Sequence, residues 1–457
     1  MSILSAKRGL NSLRELRPAW RWTAAALALA GLLTSTWLIQ RAAQPPAAAD
    51  PSATVYSDAA PAAQQMDTLL ASLQTHLSAY PNDARGYALL GAAYLQKVRE
   101  SGDPAYYTKA DAVLHEALSR QPQDAETLTT LGVLALARHQ FKDGLNYGQQ
   151  ALAINPYSPR ALGVIFDGQT ELGQYDAAVQ TIQKMVDTRP DMSSYARVSY
   201  ARELHGDVPG ALQAMRLAAQ AGSGQAENNA WTLTQVGNLL WQHGDASGAQ
   251  TAYQAALQAM PSNIPAQAGL AKVQAANGDL TGAIARYQTI VSIMPLSEYV
   301  IGLGDSYLAG GQSAAALRQY KLVEVLAQLQ QANGVDVELE ISLFEADHPS
   351  QLEPLADTVA KARQVYARRP TIYAADALAW GLYQAGDSAE ARAFSDRALS
   401  LKTEDALLWF HAGMIAQCVG DTATAQIDLA KALAINPKFS LLWAPVARQS
   451  LASLSAH

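Results

Sequence analysis

Proline recurs in this chain at a fixed step. Thirty-four residues separate Pro122 from Pro156, Pro156 from Pro190 and Pro261 from Pro295. The same small residues precede each proline, as in Ala249-x3-Tyr253-x2-Ala256-x4-Pro261, Ala283-x3-Tyr287-x2-Ile290-x4-Pro295, Ala110-x3-Leu114-x2-Ala117-x4-Pro122 and Ala425-x3-Leu429-x2-Ala432-x4-Pro437. Upstream stands a second pattern: Tyr87-x2-Leu90-Gly91-x2-Tyr94, Val300-x2-Leu303-Gly304-x2-Tyr307, Leu233-x2-Val236-Gly237-x2-Leu240. A period of this length excludes one irregular core and predicts a stack of copies of a single unit.

Each unit reads as two helices. Apolar residues fall at i, i+3, i+4 and i+7 in both halves, and the central Gly and Ala allow close helix approach. Between the halves stands Gly-Asp, at Gly206-Asp207, Gly244-Asp245, Gly278-Asp279, Gly386-Asp387 and Gly420-Asp421. Glycine takes the left-handed conformation that ends the first helix, and the Asp carboxylate accepts from the free N–H groups that open the second. Proline then stops the second helix.

These two patterns resemble the tetratricopeptide repeat, whose signature is W-x2-L-G-x2-Y…A-x3-F…P. The fold class expected is all-α: a solenoid of about ten such repeats over residues 66–437, closed by a capping helix in 438–457, predicted from Phe439 to about Leu454. Repeats are placed at about 84–122, 124–156, 158–190, 191–223, 228–261, 263–295, 297–330, 334–370, 371–403 and 404–437. Pro81 to Pro122 is seven residues too long, and the excess is assigned to Val98–Pro104, as a longer turn. The segment 334–370 fits worst, with His348-Pro349 breaking its first helix. The resemblance implies a right-handed superhelix whose first helices line the concave side, with each repeat touching mainly its neighbours.

The array is preceded by something different. Residues 1–21 are basic, and Trp22 to Ile39 form an 18-residue run without a charge. At 1.5 Å per residue that is about 27 Å, close to a bilayer core. Five cations precede the run and Arg41 follows it, which places residues 1–21 in the cytoplasm and the repeats outside, on the positive-inside rule. The competing reading is a cleaved signal peptide, with Ala47-Ala48-Ala49 as the cleavage site and a secreted product. Residues 40–65 are rich in Ala and Pro and read as a linker. The C-terminal block is similar to repeat proteins exposed in the bacterial envelope.

Residues 1–41 carry +5 of a net −7, which leaves −12 on the remainder. An acidic array without a basic stripe argues against nucleic acid as the partner. A single Cys, Cys418, excludes an internal disulfide framework. The eight histidines show neither H-E-x-x-H nor a metal spacing, no phosphate or dinucleotide loop is present, and each His reads as solvated or packing. Asp347-His348 reads as a turn ending a helix. Titratable groups look scattered, so neither catalysis, cofactor nor small-molecule substrate is expected.

In family register, the groove-facing positions of the first helices hold Tyr200, Trp231, Asn238, Trp241, Asp305, Tyr373, Asp376, Trp380 and Tyr383. Phe410 and Met414 fall there too. Rings of this kind give contact area at low entropic cost. Relatives that bind chaperone C-termini use Lys, Asn and Arg where this chain has Ala88, Ala92, Thr129 and Val133. The expected function is therefore a membrane-anchored scaffold whose groove binds another protein or extended peptide, the alternatives being a secreted soluble version or an accessory subunit of an envelope enzyme or transport complex.

Overall fold

The computed structural model describes residues 62–348 and 355–455. The apolar run 22–39, the linker and His348-Pro349 as a bond lie wholly or partly outside these residues. Among the described residues every regular element is a helix, and there are 22 of them. No described helix is long and apolar enough to cross a membrane.

α1 (Ala62–Ala79) leads into ten hairpins. They are α2 (Ala84–Ser101) with α3 (Ala105–Arg120), α4 (Ala125–Ala137) with α5 (Phe141–Ile154), and α6 (Pro159–Glu171) with α7 (Tyr175–Thr188). Next come α8 (Met192–Leu204) with α9 (Val208–Gly222), α10 (Ala226–Gln242) with α11 (Ala246–Ala259), and α12 (Ile264–Ala276) with α13 (Leu280–Ile293). α14 (Ser297–Ala309) with α15 (Ser313–Ala332), α16 (Glu338–Asp347) with α17 (Leu355–Arg368), α18 (Ile372–Gln384) with α19 (Ser388–Ala398), and α20 (Ala406–Cys418) with α21 (Thr422–Ile435) complete the set. α22 (Trp443–Ser455) ends the described chain.

The Gly-Asp turns form as their chemistry requires. Gly206, Gly244, Gly278, Gly386 and Gly420 have φ between +71° and +90°. The following Asp side chains accept from Gly210, Gly248, Gly282, Glu390 and Thr424 N–H at 2.8–3.2 Å. Within a repeat and at its junction with the next, a large side chain of the second helix fills a notch left by glycine. A Cβ on Gly237 or Gly269 would lie 2.5 or 2.4 Å from the ring of Tyr253, which is 1% exposed. Packing this close explains the Ala-rich composition.

Two boundaries differ from the sequence reading. The seven extra residues of the first repeat extend α2 to Ser101 and leave a short turn, Gly102-Asp103-Pro104, because Val98 is buried and continues the apolar stripe. α22 begins at Trp443 rather than Phe439: Ser440 Oγ accepts from Leu442 and Trp443 N–H and caps the helix there. Phe439 instead packs on Phe410, with ring centroids 5.5 Å apart.

Repeats touch more than their neighbours. Each helix packs chiefly on the helices next to it in sequence, but the array also returns on itself after 194–199 residues, roughly six repeat lengths. Asp336 N–H donates to Arg138 O at 2.9 Å, and His139 Nδ1 lies 2.7 Å from Asp336 O. Ile372 N–H donates to Tyr175 Oη at 3.0 Å, Thr403 Oγ1 to Leu204 O at 2.6 Å, and Asn436 Nδ2 to Trp241 O at 2.7 Å. In every case a hairpin turn of the first coil meets the loop between two repeats of the second. His139 and Lys402, the non-glycine residues of positive φ among those described, both lie on this seam. Such backbone costs on the order of 1 kcal/mol and persists where surrounding contacts hold it.

Candidate functional site: an interior trough

First helices face the inside of the coil, and their polar positions enclose two adjoining cavities. The larger, of about 760 Å³, is walled by α8, α10 and α12, with Glu298 and Tyr299 of α14 and Tyr373 of α18. The smaller, of about 380 Å³, is walled by α12, α14 and α16 and by Lys438 to Trp443. Trp241, Lys272 and Tyr287 line both, so the two form one trough.

The sequence-selected residues divide into two groups. Tyr200, Trp231, Asn238, Trp241 and Tyr373 line the larger cavity, and Asp305 with Trp241 the smaller. Trp231 is the most open ring, 40% exposed, whereas Trp241 is only 6% exposed and packs among Tyr253, Ala256 and Val273. Asn238 is already engaged, accepting from Tyr253 Oη at 2.8 Å and donating to Gln235. Asp305 stands in the equivalent place, accepting from Tyr320 Oη at 2.8 Å. Neither side chain is an idle peptide-binding group.

Asp376, Trp380 and Tyr383 belong to the second group and line neither cavity. Asp376 is 3% and Trp380 1% exposed. Trp380 lies between Tyr383 and His411, with centroids 4.8 and 4.1 Å away and planes nearly parallel. The expected place of Asp376 and Trp380 on an open groove gives way to burial, with Tyr383 half-buried beside them, because α18 is covered on both sides, by α16 and by α20.

That burial also corrects the picture of scattered titratable groups and of packing histidines. His411, fully buried, has Nδ1 3.0 Å from both carboxylate oxygens of Asp376 and Nε2 3.7 Å from Asp347. Asp347 also accepts from Trp380 Nε1 at 2.9 Å. Burial alone would lower the His411 pKa, but the two carboxylates outweigh it and raise it to about 9. Asp347-His348 is likewise more than a helix end. His348 is buried, with Nδ1 2.8 Å from Phe344 O and Nε2 3.0 Å from Asp305. Its pKa is raised, again against desolvation, by Asp305. The sequence did hold a signal for the first cluster: Asp347, Asp376 and His411 are spaced by about one repeat, so neighbouring first helices bring them together.

The trough is electrostatically uneven. Arg197 forks onto Asp167, Nε–Oδ1 at 2.8 Å and Nη2–Oδ2 at 2.6 Å. Enclosure pushes the Lys272 pKa down, with Glu298 opposing. Glu203 is raised to about 7, by desolvation first and then by Asp405. Among the described residues no group of three or more His, Cys, Asp or Glu is disposed to hold a metal ion. Chemically the trough offers rings, hydrogen-bonding groups and carboxylates to a bound chain, while His411, shut away with Nδ1 engaged by Asp376, acts as a structural cation.

Comparison with known proteins places these helices. One curated relative is the cytochrome c-type biogenesis protein CycH of Rhizobium meliloti (strain 1021), 29% identical over 126 residues, or 27% of this chain. The match spans about a third of that relative's length (32%). Similar solved structures include a tetratricopeptide repeat protein from Parabacteroides merdae ATCC 43184, 17% identical, covering 58% of this chain and 99% of the other with a TM-score of 0.35. Another is the human IFIT1 dimer with PPP-AAAA, 16% identical, covering 74% and 78% with a TM-score of 0.46. The tetratricopeptide repeat profile matches residues 240–304, from the end of α10 into α14, which is the wall shared by both cavities. Within that stretch the chain matches the tetratricopeptide repeat, and the hairpin found there is the one repeated along the array.

Proposed function

We propose that this chain is a non-enzymatic scaffold that holds an extended segment of a protein partner in the trough, outside the cytoplasm, with residues 22–39 as its membrane anchor. The observation that carries this reading is the trough wall itself, where Tyr200, Trp231, Tyr287, Tyr299 and Tyr373 come from five different hairpins onto one cavity. Aromatic rings presented together on rigid helices supply large contact area at low entropic cost, the pattern of binding hot spots. The charge bias of residues 1–41 and the uncharged run 22–39 support the location. The name of the Rhizobium relative speaks of cytochrome c-type biogenesis. We read a shared task at that level, the handling of another polypeptide during its maturation.

A photo-crosslinking residue placed at Trp231 in the full chain, produced in its own membrane, tests the binding face. The expected result is a discrete partner adduct at 231 and none at Ile427, which is 66% exposed on a second helix. Equal labelling from both positions would overturn the assignment of the trough. A reporter active only in the cytoplasm, fused after His457, should be silent, and full activity would overturn the location.

A further inference from the structure

Charge is distributed along the trough in a way that specifies what it can accept, granted the reading that it holds a peptide. Its charged lining consists of the acids Asp167, Glu203, Glu298, Asp305, Glu340 and Asp347 against the cations Arg197, Lys272 and Lys438, with His348 on Asp305. Two of the cations are already engaged: Arg197 with Asp167, and Lys438 with Asn277 Oδ1 at 2.6 Å. His348, His411 and Arg369 meet Asp305, Asp347 and Glu340, so among the described residues the lining carboxylates in no ion pair are Glu203 and Glu298. Glu203 lies where α8 faces α18 and the start of α20. There Tyr200 and Tyr373 pack around Leu204, Ile372 and Leu408, and Glu203 and Asp405 stand beside them. The charged and phenolic groups acting most strongly on Tyr200, Tyr373 and Glu203 all act as negative charge, and no cation is among them. This corner thus combines three features: cavity space, two aromatic faces and, in Glu203, a carboxylate that takes part in none of the ion pairs among the described residues.

We propose that this corner takes the cationic end of a lysine or arginine side chain from the bound segment, held against the Tyr200 and Tyr373 rings and paired with Glu203. A ring face attracts a cation through its quadrupole, and enclosure strengthens both that attraction and the ion pair. The same enclosure penalises an acidic segment, which would add like charge to groups already short of counter-charge. Apolar neighbours of the cation find Trp231, Tyr287 and Tyr299 along the wall. The occupant specified is an extended peptide with a Lys or Arg flanked by apolar or aromatic residues.

The full-length chain panned against a displayed library of random 12-residue peptides should enrich Lys or Arg flanked by apolar residues. A synthetic winner should then bind about tenfold tighter than its Lys→norleucine counterpart, the range of a desolvated ion pair with a ring contact. Glu203→Gln, which keeps the shape and removes the carboxylate, should bring that ratio below about threefold. A melting curve of Glu203→Gln checks folding. In the wild type, the lysine advantage should shrink between low and high salt, a readout independent of any variant. Enrichment of acidic peptides, enrichment without charge bias, a salt-independent advantage, or an unchanged ratio in Glu203→Gln would each overturn the cation site while leaving peptide binding standing. Failure to enrich any peptide would overturn the peptide-binding reading and the cation site with it.

Discussion

The hairpin turns of the first coil and those of the second are built from the same residues and live in different surroundings. Gly206 and Gly244 in the first coil, like Gly386 and Gly420 in the second, adopt left-handed φ before an Asp that caps the next helix. In the second coil nothing lies within 4 Å of where a Cβ would be at Gly311, Gly386 or Gly420. In the first, a Cβ would sit 2.7 Å from Lys402 O at Gly206, 2.8 Å from Ile435 O at Gly244 and 2.6 Å from Pro370 O at Gly173. Glycine there answers two demands, backbone conformation and the approach of another coil. A solenoid is usually treated as a row of nearest-neighbour interfaces. This one carries a second set of contacts, across a seam some six repeats away in sequence, and the seam helps to enclose the trough.

Gly173→Ala set beside Gly420→Ala should separate the two demands with the largest effect. Both substitutions force an L residue into left-handed backbone, at about 1 kcal/mol. Only the first also drives a methyl into a carbonyl oxygen, which should bring its total to about 3–4 kcal/mol. Local stability from native-state hydrogen exchange measures both, and equal losses would break the comparison.

The second coil has a tie of its own, His411 between Asp347 and Asp376, which joins three successive first helices. Its folded pKa of about 9 stands above the ordinary histidine value of 6.5, so its stabilisation is fully present below pH 6.5 and is lost as pH rises through 9. Protection across residues 372–418 should fall by on the order of 2 kcal/mol over that window, and Asp376→Asn should flatten the dependence. A uniform loss over both coils would show that the network does not act locally.

Thr403→Val removes the hydroxyl that donates to Leu204 O across the seam. A buried carbonyl left without its donor should cost about 1–2 kcal/mol. Thr289 makes only an exposed bond within its own helix, so Thr289→Val should stay within about 0.5 kcal/mol. Thermal melting of the pair is sufficient. The smallest stability effect is expected at Trp231→Ala, also within about 0.5 kcal/mol because the ring is 40% exposed, while partner crosslinking falls away. A melting shift as large as that of a core ring would reassign Trp231 to packing.

The period, the Gly-Asp turns and the helix pairing were legible because each is a local code within about 34 residues. The seam was not, because it depends on small rotations accumulated over many repeats, which no single hairpin records. His139 shows how little marks it: an Arg-His-Gln turn stands where other repeats have glycine, and its left-handed backbone is held by contact with Asp336. The site was legible in part for a related reason. Family register assigns Trp231 and Trp380 to comparable positions, yet Trp231 is open to the trough and Trp380 is sealed between Tyr383 and His411. Register gives the direction in which a side chain leaves its helix, and the next helices decide whether it meets solvent. The Asp376–His411 spacing of 35 residues was visible, and reading repeat-equivalent polar residues as contacts would have found it.

The stitched coil is tested most directly by hydrogen exchange in Gly206→Ala, compared with the unaltered chain. The account predicts faster exchange around residues 191–223 and, equally, around 399–406, where Lys402 O meets the Gly206 turn and Thr403 reaches Leu204. The intervening repeats at 263–330 should change little. An increase confined to residues 191–223, with 399–406 unmoved, would contradict the seam and return the array to nearest-neighbour packing alone.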